Sequence, residues 1–440
     1  MSDVASTDAT HAETRLDVAT AVERVTSAMV PLADVERVPL ADALGRVLGA
    51  DVIAPVSLPP WDNSAMDGYA VRAADVRAAA PNAPVRLRVV ATIAAGRRPP
   101  RALAPGEAMR IMTGAPVPDG ADTVIRVEDT DGGDAMVHVR DARDARAPTR
   151  NVRPRAEDLR AGAVALTAGT VLGPAHVGVL AACGGREVTV RRRPRVAILA
   201  TGDEVVDLDR WDEVLAGERI PSTNSWTLHA LVRQAGGEPV PLGIAPDEPV
   251  ALRACLELAR GCDLLLTTGG VSVGAFDHVR PVLAAMGTEM RFWRARMRPG
   301  APIGFGLVPD ESRGRPMPWL GLPGNPVSAM VTFELFARPA IRRLAGHARL
   351  FRRPIQVVVE EDVRIAAALT HFMRVTLHER TDGRIGARLT GPQGSGLLTS
   401  MARADALLVL HDDAELTPAG SVCHALPLGE DVAMVERFAL

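Results

Sequence analysis

Residues 263–277 read DLLLTTGGVSVGAFD, an apolar run that passes through two threonines into a glycine-rich turn and ends on a carboxylate. Leu264, Leu265 and Leu266 form an unbroken apolar run, which suits a strand buried on both faces of a parallel sheet. Gly269, Gly270 and Gly274 lack a Cβ, so the backbone can turn at positive φ and approach a ligand closely. Thr267, Thr268 and Ser272 add hydroxyls beside the backbone N–H donors. Helical spacing resumes at His278, Val279, Val282 and Leu283, so Asp277 stands where it would cap a helix or hold a metal. Strand, glycine turn and helix in this order build anion sites at the carboxyl ends of parallel strands. Turns of this kind also occur where nothing binds, so the loop by itself leaves phosphate binding open.

The chain around this loop has 440 residues, enough for about three domains. Its net charge of −3 lacks the basic excess of a dedicated nucleic-acid binder, and no nucleic-acid partner is expected. Lysine is absent, so all 50 basic residues are arginine. That excludes chemistry through a P-loop, Schiff-base or kinase lysine. Arginine keeps its charge under ordinary conditions, so the basic groups act as clamps for anions and not as proton shuttles. Cys183, Cys255, Cys262 and Cys423 are scattered without a CxxC pair, which fits a reducing cytoplasm. Residues 1–14 lack the apolar core of a signal peptide. Residues 161–185 carry no Asp, Glu or Arg and have the length of a membrane span. Their glycines and Pro174 favour a strand, a turn at Gly169 and a short helix from Pro174, so no membrane contact is expected.

In chain order, a helix is expected from residue 17 to 30 and a strand followed by a helix over 35–48. Residues 57–69 then pack Pro59, Pro60, Trp61, Asp62, Asn63, Ser64 and Asp67 into one rigid polar loop, a pattern that suits a site. Residues 85–124 read as β-rich, with Thr113-Gly114 turning after an apolar strand. Arg191, Arg192 and Arg193 read as a solvated linker. From about 195 to 345, strands and helices alternate as in a doubly wound α/β domain. Helices are expected over 223–236, 250–260, 281–286 and 328–337. Residues 206–217 read as irregular. Residues 355–440 read as a small antiparallel β domain, barrel or sandwich.

Four loops of the α/β region follow strands and carry polar groups: residues 201–204, Asp247, residues 267–277 and residues 323–326. Parallel strands bring their carboxyl ends to one edge, so Glu204, Asp247 and Asp277 are expected to converge beside a phosphate cradle. Carboxylates repel a phosphate unless a divalent cation stands between them, which points to Mg²⁺. Arg294, Arg296 and Arg298 alternate and would share one strand face, where they need anions or solvent opposite. A side chain placed at Gly269 is expected to exclude the ligand and leave the fold intact.

Taken together, these loops resemble the MoeA family, the molybdopterin molybdenumtransferases that include the E-domain of gephyrin. The matching stretches are PPWDNSAMDGYAVR (59–72), MRIMTGAPVPDGAD (109–122), NVRPRAED (151–158), ATGDE (200–204), TTGGVSVGAFD (267–277), MRPGAPIGFG (297–306), GLPGNPVS (321–328) and GPQGSG (391–396). They occur in family order over about residues 15–435. The resemblance implies a multidomain α/β protein with a central doubly wound, molybdopterin-binding-like domain (194–346). An N-terminal region (15–193) would carry a nested β-rich domain (50–148), and a small β-barrel would occupy 352–440. It implies insertion of molybdenum from molybdate into adenylylated molybdopterin, with Mg²⁺ present and AMP released, by a cytoplasmic homodimer. Asp67, Thr113 and Asp158 match N-terminal site residues, Asp67 serving the partner subunit's site. Glu204, Asp247 and Asp277 match the acidic, metal-holding set. Thr268, Gly269, Gly270, Ser272 and Gly274 match the phosphate loop, and Pro323, Gly324, Asn325 and Pro326 the loop beside the pterin. A molybdopterin adenylyltransferase is a candidate partner, since it would supply the substrate.

The chain departs from the family pattern at several points. Arg294 and Arg298 stand where lysines are usual, and Ala301 where another is. Ser222 replaces a common Asp, and Ala156 a common Gly. Two other readings share parts of the pattern: a molybdopterin adenylyltransferase, which needs only the α/β domain, and a non-catalytic scaffold of the gephyrin kind, against which the retained acids argue.

Overall fold

A computed structural model describes residues 15–146, 151–270, 278–365, 368–411 and 415–429. It divides into two compact units. One comprises the described residues up to Glu36, Gly45–Val47 and those from Val190 on; the other is Arg37–Leu44 with Leu48–Thr189.

In the first unit the chain forms helix α1 (Val18–Ser27) and then, after the second unit, strand β1 (Arg195–Thr201), helix α2 (Thr223–Gln234), strand β2 (Glu238–Ala245) and helix α3 (Pro249–Glu257). Strand β3 (Leu264–Thr268), helix α4 (Val279–Ala285), strands β4 (Glu289–Arg294), β5 (Pro302–Val308) and β6 (Met317–Leu322), and helices α5 (Pro326–Thr332) and α6 (Arg338–Leu344) follow. The sheet order is β2-β1-β3-β6-β5-β4. Strand β3 lies parallel to β1 on one side and to β6 on the other. All five of its residues are buried, as the unbroken apolar run requires.

Alternation decides which helix each strand residue meets. Ile198, Leu264, Leu266, Leu320 and Leu322 face one core with Leu228 and Val232 of α2, Ala21 and Val25 of α1, and Ile341 of α6. Ala197, Leu199, Leu265 and Trp319 face the other, with Leu252 and Leu256 of α3 and Val279 and Leu283 of α4. Helices therefore cover both faces, as in a doubly wound domain. Each fully buried Leu contributes roughly 1.5–3 kcal/mol relative to exposure. Trp319 is wholly buried, and its indole N–H donates to Thr267 Oγ1 at 3.0 Å.

Several expectations require correction. Residues 35–48 form a strand (Val35–Pro39) and only a 3-10 turn (Leu40–Asp42); Gly45 at φ 75° breaks any helix there. A short helix, Trp211–Leu215, occupies part of the irregular stretch. The expected helix over 328–337 starts at Pro326 and becomes π-helical at Phe333–Ala337. Pro339 follows and has no N–H to donate, which disfavours ordinary helical bonding back to the preceding turn. Arg192 is not a solvated linker residue. It donates to both oxygens of the fully buried Asp263 at 2.6 and 3.0 Å, and Arg313 pairs with the same carboxylate. Helix α1 packs with α6 in this unit. Strand β5 is antiparallel to both neighbours, so the sheet is mixed.

The C-terminal strands β7 (Ile355–Val359), β8 (Thr370–Glu379), β9 (Ile385–Leu389), β10 (Ala406–Leu410) and β11 (Val422–Pro427) run β8-β9-β7-β11-β10, and β8 pairs again with β10. That pairing closes a barrel, which removes the open edges of a sandwich. The pair β7–β9 is parallel, so the domain is not wholly antiparallel.

The second unit holds a five-stranded sheet in the order Thr123–Arg126, Gly68–Val71, Glu107–Ile111, Val85–Ile93, Met136–Val139. Residues 161–185 form the strand Val164–Leu166, a turn with Gly169 at φ 86°, and the helix Pro174–Ala182. Among the described residues, no helix is long and apolar enough to cross a membrane. Ala156 sits at φ 62°, where its Cβ crowds the following carbonyl. Its N–H donates to the Pro59 carbonyl at 3.0 Å, which ties the loop down. Ala156→Gly is therefore expected to stabilise this unit by about 1 kcal/mol. A urea titration should show a later midpoint; an unchanged or earlier one would mean that the loop stores no strain.

Candidate functional site

The chain passes from β1 to β2 on one side and then crosses to β3 on the other, so β1 and β3 flank the topological switch point. That is where open α/β sheets bind ligands. A cleft of about 710 Å³ opens there, within the usual size of a small-molecule site. Thr201, Gly202 and Glu204 at the end of β1, Asp247 after β2, Thr268, Gly269 and Gly270 at the end of β3, and Pro323, Gly324, Asn325 and Pro326 between β6 and the start of α5 all line it. Four loops that are distant in sequence thus meet at one sheet edge, as the strand-end pattern predicts.

The glycines are demanded by the protein's own packing as well as by space for a ligand. Gly269 and Gly270 hold φ 88° and 65°. A Cβ on Gly269 would stand 2.8 Å from Thr201 Oγ1 and 2.9 Å from its carbonyl oxygen. One on Gly270 would stand 2.4 Å from Val279 Cγ2. A side chain at Gly269 would strain the join between β1 and β3, which corrects the expectation that the fold would stay intact. Thr268 is buried, and its hydroxyl donates to the Pro323 carbonyl at 3.2 Å while accepting from Asn224 at 2.7 Å. Its role is to tie loops together. Ser272, Gly274 and Asp277 lie outside the described residues.

The acids form a reciprocal pair at the cleft. The Asp247 N–H donates to Asp203 Oδ1 at 3.1 Å, and the Asp203 N–H donates to Asp247 Oδ2 at 3.4 Å. Burial pushes the Asp247 carboxyl above the usual aspartate range, and the charges of Asp203 and Glu204 push the same way. The Glu204 carboxylate lies over Gly202, where a Cβ would meet it at 2.7 Å. Among the described residues no group of three or more His, Cys, Asp or Glu side chains is gathered to hold a metal. Two carboxylates in one cleft nevertheless fit Mg²⁺, which takes one or two carboxylates and completes its shell with water and phosphate oxygens.

Arg294 ends β4, and Arg298 belongs to the short strand Met297–Arg298 that pairs with β8. Ala295 and Met297 between them are buried, but a bend at Arg296 separates two strands that belong to different sheets, so the arginines do not share one strand face as their alternation predicts. Neither lines the cleft; Pro302 does. Ser222 is buried and bonds Ser225 Oγ at 2.6 Å.

In the second unit, Asp67 Oδ1 accepts from the Thr113 N–H at 2.7 Å and from its hydroxyl at 2.8 Å. These bonds hold the exposed Asp67 carboxyl below its usual range. Asp158 lies in a loop fastened to residues 58–62: its N–H donates to the Leu58 carbonyl at 3.0 Å, and the Arg155 N–H donates to Asp62 Oδ1 at 2.6 Å.

Two residues escaped the sequence reading. Asn224, in the first turn of α2, joins two walls of the cleft. Arg374 of β8 is 1% exposed and donates to Ser400 Oγ at 2.9 Å and to the carbonyls of Gly394 at 3.0 Å and Pro392 at 2.9 Å. It shapes the 391–396 loop, whose Ser395 carbonyl accepts from the Val327 N–H at 3.0 Å and whose Gly396 lines the cleft. A charge inside the apolar run FMRV was the available signal.

Three family models match the chain in succession: MoeA N-terminal region (domain I and II) over residues 16–184, Probable molybdopterin binding domain over 197–343, and MoeA C-terminal region (domain IV) over 356–428. The chain is 40% identical over 382 residues to a protein named molybdopterin molybdenumtransferase from Nostoc sp., covering 86% of this chain and 85% of that protein. It is 38% identical over 406 residues to molybdopterin molybdenumtransferase 2 of Mycobacterium tuberculosis, covering 91% and 96%. Its fold is similar to the crystal structure of a molybdopterin biosynthesis moeA protein from Pyrococcus horikoshii OT3, with a TM-score of 0.78 and 28% identity, over 94% of this chain and all of that one.

Proposed function

Because this chain belongs to the MoeA family, the molybdopterin molybdenumtransferases of molybdenum cofactor biosynthesis, we propose that it inserts molybdenum from molybdate into adenylylated molybdopterin and releases AMP. The observation that carries this reading is the cleft at the switch point, where glycine-lined backbone and two carboxylates face one space. Gly269 and Gly270 let the backbone approach a phosphate of the substrate. Pro323 to Pro326 form the wall beside the pterin. Glu204 and Asp247, with Asp277, would hold Mg²⁺, which when bound would neutralise phosphate charge. Thr113, Asp67 and Asp158 are the site residues we assign in the N-terminal region, and Arg294 and Arg298 attract molybdate or phosphate. We take 15–193, 194–346 and 352–440 as the three regions, with 50–148 nested in the first, and a cytoplasmic location.

Purified protein given adenylylated molybdopterin, molybdate and Mg²⁺ is expected to release AMP. Without molybdate or Mg²⁺ release should fall at least tenfold. A protein that instead consumes ATP to adenylylate molybdopterin would overturn this reading, and one that does neither would point to a scaffold.

The proposal includes a homodimer in which Asp67 serves the partner's site. Asp67→Asn and Asp277→Ala should each be inactive, yet mixing them with verified subunit exchange should restore about a quarter of wild-type activity, if sites act independently. A mixture that stays dead would assign Asp67 to its own chain's site.

A further inference from the structure

Asn224 stands in the first turn of α2 and touches both the end of β3 and the turn that follows β6. Its amide nitrogen donates to Thr268 Oγ1 at 2.7 Å and to the Gly324 carbonyl at 2.8 Å. Thr268 passes the connection on by donating to the Pro323 carbonyl at 3.2 Å. The Gly324 carbonyl fixes which way the amide points, since a flipped side chain would set oxygen against oxygen. That orientation leaves Asn224 Oδ1 buried without a hydrogen-bond partner. An unpaired buried acceptor is unfavourable, so the fold retains the amide for its two N–H bonds. Helix capping does not explain the residue: Ser222 occupies the N-cap, and Asn224 makes no cap bond.

What the amide holds is the working edge of the cleft. A Cβ on Gly324 would lie 3.6 Å from Gly269 Cα, so the 323–326 turn stands directly against the glycine loop. The Gly269 N–H is engaged by the Leu322 carbonyl at 3.2 Å. A small outward movement of the turn would therefore widen the cleft and disturb the glycine backbone together.

We infer that Asn224 is a positioning residue that clamps the 323–324 turn to the end of β3 and so sets the cleft geometry for the adenylylated substrate. The inference rests on the proposed function for the identity of the ligand, and on the hydrogen bonds alone for the clamp. The amide itself takes no part in bond making or breaking.

The test compares full-length wild type with Asn224→Ala, Thr268→Val and the double variant. Titration calorimetry with AMP as the probe should show at least tenfold weaker binding for Asn224→Ala and a smaller loss for Thr268→Val. The double variant should lose less than the sum of the two single losses, because both changes remove the shared Asn224–Thr268 bond. In turnover, KM should rise at least tenfold with kcat changed less than threefold. Hydrogen exchange at the Gly269 amide should quicken in the ligand-free Asn224→Ala protein, since local opening governs exchange. Wild-type affinity in folded Asn224→Ala, additive losses in the double variant, or unchanged Gly269 exchange would each overturn the inference. If Asn224→Ala fails to fold, Thr268→Val decides it by the same two readouts, with unchanged AMP affinity and exchange overturning it. If wild type binds neither AMP nor adenylylated molybdopterin, the proposed function falls, and Gly269 exchange still decides whether the clamp exists.

Discussion

Asp247→Asn is expected to lower AMP release by about 10²–10³-fold, the scale on which electrostatic and metal-positioning groups act. The substitution removes charge with little change of shape. The Asp247 main-chain N–H still donates to the Asp203 carboxylate, and the amide oxygen of Asn can still accept from the Asp203 N–H. The pH profile carries a second signature. The folded carboxyl is raised by burial and by its acidic neighbours. Its charge is therefore lost, as pH falls, at a higher pH than for an exposed aspartate. Titration of the metal-free wild type should show that protonation step, and the variant should lack it. The sign for stability is opposite to that of a salt-bridged acid. A raised folded pKa means that ionising Asp247 costs the native state something as pH rises through it. The variant should thus unfold no earlier than wild type at pH 7. Near-normal turnover at saturating Mg²⁺ would show that Asp247 only shapes the loop.

Arg374→Met should cost about 2–4 kcal/mol in the unfolding of its unit, the scale for losing hydrogen bonds from a charged donor. Burial lowers the guanidinium pKa, but arginine stays charged. The charge is stabilised by one hydroxyl and two carbonyls. Methionine fills similar space and leaves the Gly394 and Pro392 carbonyls without these donors. Ser400 keeps its bond to Thr390 at 2.7 Å. Lysine should rescue little, because one ammonium cannot reproduce the planar fork of donors. Since the 391–396 loop reaches both Val327 and the cleft, substrate affinity should fall as well. A loss below 1 kcal/mol in denaturant titration would mean that water replaces the side chain freely.

The elements and the chemistry available to them were legible in the residues. An unbroken Leu run specified a strand buried on both faces, and β3 is buried along its length. Two glycines at its end specified a turn at positive φ, and both adopt it. The spacing of Val279, Val282 and Leu283 specified a helix with one apolar face, and all three are buried. These signals are local, because burial of a regular element repeats with the backbone period. The eight motifs likewise specified the family. Tertiary structure alone decided the partners of the polar groups. Arg192 meets Asp263 across 71 residues of chain, and Asn224 meets Thr268 and Gly324 across 44 and 100. The Thr267 hydroxyl goes to Trp319 and not to a ligand, although its place beside the glycines suggested otherwise. A polar side chain in a strand end or first turn looks the same in sequence whether it faces solvent, substrate or another loop. Its partner depends on which strands become neighbours, and that follows from long-range packing, for which the local period carries no signal.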